Sequence, residues 1–157
     1  MNLKLSLEKA LEAYKNGNDT IKRFLIDSYG EEHFLTDIKD RLKGYESACE
    51  ILGIKPLTIE DFAFLGKDQA RRQFSRHKIV TGIQAINDGW VVDFENEDHP
   101  KYYNWLYNRK NGFSFVCYAY YYGDCFAGSD LYVETREKAE LIQKLFKDDY
   151  IVFMFGY

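Results

Sequence analysis

Apolar residues recur every third or fourth position as far as Gly89, and from Trp90 onward they alternate. The first spacing covers one side of a helix and the second covers one face of a strand, so the chain must build helices first and sheet afterwards. The fold class that follows is α+β: N-terminal helices and one long central helix packed on a small antiparallel β-meander, closed by a C-terminal helix. With 157 residues, two prolines and no Ser/Gly-rich linker, residues 1–157 are expected to form a single domain. Within it, 1–66 is a helical segment, and 67–157 holds the long helix, the meander and the closing helix.

Local signals place the helices. Ser6 can cap a helix carrying Leu7, Ala10, Leu11 and Tyr14, which stops at Gly17. Asn18 or Asp19 caps a second, with Ile21, Phe24 and Leu25 along one side and Gly30 as its end. A third follows Thr36, with Ile38 and Leu42 in register, until Gly44 interrupts. Tyr45, Ala48, Cys49 and Leu52 stripe a fourth, which Gly53-Ile54 closes in a Schellman stop before Pro56. Thr58 with Asp61 reads as a capped short turn packing Ile59 and Phe62. The longest helix runs from about Asp68 to Asp88, with Ile79, Ile83 and Ile86 as its buried stripe and Trp90 continuing the spacing. Gly82 inside it weakens it by roughly 1 kcal/mol relative to Ala, a cost that close packing would explain.

Beyond Gly89, WVVDF reads as a short extended segment and ENEDHPK as a charged loop. Lys101–Tyr107 and Phe113–Tyr122 are strands joined through NRKNG, whose Asn111-Gly112 is a hairpin signal. Gly123-Asp124 provides a further turn and Leu131–Val133 a third strand. Thr135 caps a last helix with Ala139, Ile142, Leu145 and Phe146 inward. The tail YIVFMFGY fits either a continued helix or an edge strand.

Thirteen Tyr, twelve Phe and two Trp make the chain aromatic, with many of them between Trp90 and Tyr132. Alternation sets Tyr103, Trp105, Tyr107 and Arg109 on one face of the first strand and Tyr102, Asn104 and Leu106 on the other. The first set is a candidate binding surface, for a protein or for stacked bases; the competing reading makes one set core and the other merely exposed. Arg71, Arg72, Arg76 and Lys78 form a basic run near the start of the long helix that could contact phosphates or pair with acidic residues such as Glu31 and Glu32. The loop bearing Asp93, Glu95, Glu97, Asp98 and His99 is oxygen-rich, but its spacing does not match the calcium-loop pattern.

Chemistry is otherwise sparse. No GxSxG, HExxH, Walker loop or GxGxxG occurs, the three histidines are scattered, and Cys49, Cys117 and Cys125 form neither CxxC nor an even set. No cofactor or metal is expected, and the reading disfavours an enzyme. A net charge of −4 opposes a general electrostatic fit to nucleic acid or to anionic membranes. With no signal peptide and no long apolar run, a cytoplasmic location without membrane contact is expected.

The segments GYESACEILGI, IVTGIQAINDGWVVDFENEDHPKYYNWL, GFSF and GSDLYVETREKAELIQKLFKDDY resemble those of a family of uncharacterised phage and mobile-element proteins of gut bacteria. That family carries the pattern ALNEGWxPDWxN, KYYPWF, GFS and GSRLCFK. The resemblance spans Ile38 to Tyr150, with matches at Gly89-Trp90, Asp93-Phe94, Asn96, Lys101-Tyr102-Tyr103, Trp105 and Gly128-Ser129. Val92 and Asn104 stand where the family has Pro, and Asp130 stands where it usually has Arg. The resemblance implies a phage or prophage accessory protein working inside a bacterial cell, a class that acts mostly by binding. The leading expectation is therefore a non-catalytic interaction module that engages a host or phage protein through the Tyr103–Arg109 face. A nucleic-acid-binding accessory protein using the basic run is the second reading, and a metal-dependent enzyme built on the Asp93–His99 loop is the third.

Overall fold

The computed structural model describes residues 6–30, 33–34, 37–110, 112–120 and 128–156. Backbone contacts divide the chain into two compact units, Met1–Arg41 and Leu42–Tyr157.

The first unit contains α1 (Leu7–Asn16), α2 (Asp19–Tyr29) and the single turn α3 (Ile38–Arg41). Asn18 caps α2 through its side-chain oxygen, which accepts from the Ile21 amide at 3.1 Å. Ala10, Leu25 and Phe34 are buried together, and the Tyr14 ring stacks on Phe34 at 4.6 Å. Phe34, which lies between α2 and α3 rather than in either, is the one aromatic of these three buried residues.

The second unit is organised by the central helix. α4 (Tyr45–Leu52) ends as its sequence predicts: Gly53 is left-handed at φ 66°, and the Ile54 amide donates to Cys49 O at 2.9 Å. Tyr45, Ala48 and Cys49 are buried, so Cys49 is a small core residue. The Thr58–Asp61 cap is also present, with the Thr58 amide donating to the Asp61 carboxylate at 2.7 Å; it opens a 3-10 helix, Ile59–Leu65. Ile59, expected to pack, is 38% exposed, while Phe62 lies 5.7 Å from the Phe74 ring.

α5 (Lys67–Asn87) spans 21 residues and buries Ile79, Ile83 and Ile86 along with Ala70, Thr81 and Ala85. Its left-handed cap is Asp88, at φ 49°, one residue before the glycine that marks the end in sequence. Gly82 is explained by what faces it: a Cβ there would lie 2.4 Å from Cε2 of Phe146 and 3.3 Å from Cδ1 of Ile142. Phe146 is the joint between α6 (Arg136–Leu145) and α7 (Lys147–Phe155), so the bare backbone of α5 sets how closely both helices approach. Thr135 caps α6, its side chain accepting from the Lys138 amide. The tail open to two interpretations is helical to Phe155: the Tyr150 amide donates to Phe146 O and restarts the helical ladder directly after the bend.

The sheet is a two-stranded antiparallel hairpin of β1 (Lys101–Arg109) and β2 (Gly112–Tyr120), in a register that sets Trp105 opposite Val116 and Leu106 opposite Phe115. Arg109 pairs with Gly112, so the connection is shorter than NRKNG suggested; Asn111, the Gly123-Asp124 turn and the end of the second strand beyond Tyr120 lie outside the described residues. Two expected extended segments are not strands. Residues 90–92 take no regular structure, and Val91 is 79% exposed. The third strand is reduced to one antiparallel bridge, Tyr102 with Val133. Ser129–Leu131 winds into a 3-10 turn in which the Leu131 amide donates to Gly128 O, so the donor that would extend the ladder past Val133 is used within the turn, while the Tyr132 carbonyl, turned away from β1, accepts from Nδ2 of Asn87. The α+β class stands, with the meander shortened to a hairpin.

One face of the hairpin rests on α6 and α7. Nδ2 of Asn104 donates to Ala139 O at 2.7 Å, Phe115 meets Tyr150 edge-on at 5.7 Å, and Phe113 lies 5.1 Å from Phe155. Burial pushes the Tyr150 phenol far above its ordinary pKa. Gly82→Ala should lower unfolding stability by about 1–3 kcal/mol, because the added methyl overpacks the joint. Chemical denaturation of Gly82→Ala, Phe146→Leu and the double variant checks this: the smaller Leu should recover part of the loss.

Candidate interaction surface

Period two decides which side chains of β1 reach the outer face. With Asn104 and Leu106 turned toward α6 and α7, Tyr103, Trp105, Tyr107 and Arg109 fall on the opposite side, as the alternation required. They form a row of two contacting pairs. Tyr103 meets Trp105 edge-on at 6.5 Å, and the Arg109 guanidinium sits 5.4 Å from the centre of the Tyr107 ring. At its inner end the row is anchored, because Tyr103 packs at 5.3 Å on Tyr132, a ring that is 1% exposed and is met in turn by Phe94. Burial, and after it the nearby Tyr107, raises the Tyr103 phenol. Trp105 is the most exposed of the three aromatics, at 36%, and stands mid-strand. Sequence reasoning thus found the row; the structure divides it into a seated end, Tyr103, and an open middle, Trp105.

The basic run is drawn to different parts of the unit. Nε of Arg72 donates to Phe153 O at 3.2 Å, Arg76 pairs with Asp130, and Lys78 pairs with Asp149 at 2.7 Å while lying over the Phe74 ring. Arg71 is exposed. The anions that meet Arg76 and Lys78 are therefore Asp130 and Asp149. Glu31 and Glu32, weighed as partners from the sequence, lie outside the described residues.

The acidic loop is organised by its own turns and by one lysine. The Asp93 carboxylate accepts from the Glu95 amide at 2.9 Å and the Asn96 side chain from the Asp98 amide at 3.0 Å. Lys101 is 1% exposed, and its ammonium donates to Asn96 O and to His99 O. Sequence reasoning missed this role; a lysine opening an aromatic strand gives no local sign that it will be buried. Among the described residues no three His, Cys, Asp or Glu side chains converge to hold a metal ion. Burial also raises the Cys117 thiol, which keeps it protonated and a poor nucleophile.

A groove of 510 Å³ opens beside α4 and α5, walled by Tyr45, Leu57, Phe74 and Phe146 and bounded by the Lys78–Asp149 pair. Its edge is fixed by Tyr45, whose hydroxyl accepts from the Leu57 amide at 2.7 Å and lies 3.2 Å from Nε2 of His77.

Compared with known proteins, the chain matches no family model, no curated protein and no solved structure. No described helix is long and apolar enough to cross a membrane.

Desolvation lowers the His77 pKa below its usual 6.5. The unfolded chain then binds more protons than the folded one between the two values, so stability is full above about pH 6.5 and falls as pH drops through the folded value. Urea midpoints measured from pH 7.5 down to 5 should therefore decline more steeply for the native sequence than for His77→Gln.

Proposed function

We propose that the chain is a non-catalytic interaction module, a phage or mobile-element accessory protein that engages a host or phage protein through the outer face of its hairpin. The observation that carries this reading is the position of Trp105. It sits mid-strand in a row with Tyr103, Tyr107 and Arg109, more than one third exposed, on the side of the sheet away from α6 and α7. Trp, Tyr and Arg are the residue types that dominate binding hot spots, since each offers a large contact surface together with a polar or charged tip. Two supports hold the row: Tyr132 beneath Tyr103 and the fixed hairpin register behind Trp105. Such a surface is pre-organised, so a partner loses little side-chain entropy in ordering it.

The resemblance to phage and mobile-element proteins supplies the setting, a bacterial cytoplasm. Nucleic acid is the less favoured occupant, because Arg72, Arg76 and Lys78 already make contacts within the chain.

Trp105→Ala should leave the melting temperature within a few degrees of the native value, since a ring more than one third exposed on the outer face of the hairpin lies outside the core. The same variant should lose a protein partner recovered by the native chain under crosslinking in bacterial cells, while an exposed control, Phe64→Ala, keeps it. Cooperative unfolding of Trp105→Ala at room temperature would instead make the row part of the core. A gel shift with DNA at low salt that weakens as salt rises would replace the protein partner with nucleic acid.

A further inference from the structure

A second groove, of 400 Å³, lies where the end of α5 meets residues 89–92 and the Ser129–Leu131 turn. The Gly89-Trp90 and Gly128-Ser129 segments, distant in sequence and singled out there, come together around it. Ile83, Trp90, Val91 and Tyr132 give it apolar and aromatic walls, with Val91 and Ser129 exposed on the rim. Asn87 completes the wall and is 9% exposed. Its Nδ2 is committed to Tyr132 O at 2.9 Å, which fixes the amide, and its Oδ1 has no hydrogen-bond partner.

Buried amide oxygens are nearly always satisfied, because leaving one without a donor forfeits its hydration for nothing. Among the described residues two buried amide oxygens have no partner, Oδ1 of Asn104 and Oδ1 of Asn87, and Asn87 is the one that lines this concave, mostly apolar groove, the combination typical of small-molecule pockets. Electrostatics narrows the ligand. Asp130, the carboxylate at this groove, already pairs with Arg76, so the site does not demand a cation. What is missing is a single neutral donor presented on an apolar, flat body that can lie against Trp90 and Val91.

We propose that this groove binds a small planar heteroaromatic ligand whose ring N–H donates to Oδ1 of Asn87. The proposal does not rest on Trp105, drawing instead on α5 and the Ser129 turn, although Tyr132 borders both sites.

Trp90 is one of only two tryptophans, so a Trp105→Phe background makes its fluorescence a reporter of the groove. Benzimidazole should change that fluorescence saturably at millimolar concentration or below. Its 1-methyl derivative, with the same ring but no N–H, should bind at least tenfold more weakly, because the amide oxygen then stays unpaired. Ser129→Phe, an exposed substitution that fills the rim, should abolish the response with the melting temperature preserved. Asn87→Leu should do the same; should it unfold, Ser129→Phe carries the comparison. Equal binding of the two ring compounds, undiminished binding by Ser129→Phe, or no saturable response at all would overturn the proposal, the last leaving Asn87 Oδ1 as an acceptor for water only.

Discussion

The contact between Phe146 and the bare backbone of Gly82 sets the geometry of the Leu42–Tyr157 unit. Phe146 is where α6 ends and α7 begins, so its depth against α5 fixes both helices together. Any side chain at position 82 would push that ring outward. Because Ala139, Tyr150 and Phe155 of α6 and α7 form the floor beneath the hairpin, the sheet takes its position from the same contact. A glycine that weakens the helix locally is thereby compensated by tertiary packing, the usual way in which propensity is overridden.

From that floor the outer face follows by alternation. Each residue of β1 turned toward α6 and α7 commits its neighbours to the other side, and that is how Tyr103, Trp105, Tyr107 and Arg109 form a row. The row is not uniform, because Tyr132 reaches under one end of it. Tyr132 in turn is tied to α5 by Asn87. One residue therefore links the central helix, the wall of the 400 Å³ groove and the aromatic face. Lys101 does comparable work at the start of the strand, where its buried ammonium gathers the carbonyls of the acidic loop.

Features written in short stretches of sequence were legible there. The Gly53-Ile54 stop, the Thr58–Asp61 and Thr135 caps and the buried Ile79–Ile83–Ile86 stripe each depend on residues within a few positions of one another. Elements whose extent depends on distant partners were harder to read. Leu131–Val133 has strand-like composition, yet the length of a strand is decided by what pairs with its backbone, and among the described residues its ladder is the single bridge to Tyr102. The tail was ambiguous because KDDYIVFMF is apolar around most of its circumference once past its first turn, which suits a buried helix and a strand equally well.

The sequence by itself determined the passage from helices to a hairpin after the long helix, the stop at Gly53-Ile54, the caps at Thr58–Asp61 and Thr135 and the composition of the outer row, because each of these is a relation between near neighbours. Tertiary structure alone decided which cations meet which anions: Arg76 finds Asp130 54 residues away, and Arg72 finds the Phe153 carbonyl 81 residues away. It also decided that Lys101 is buried and that Asn87 keeps an acceptor unpaired. Those outcomes depend on which surfaces are brought together when α6 and α7 close on α5, and spacing along the chain holds no record of such distances.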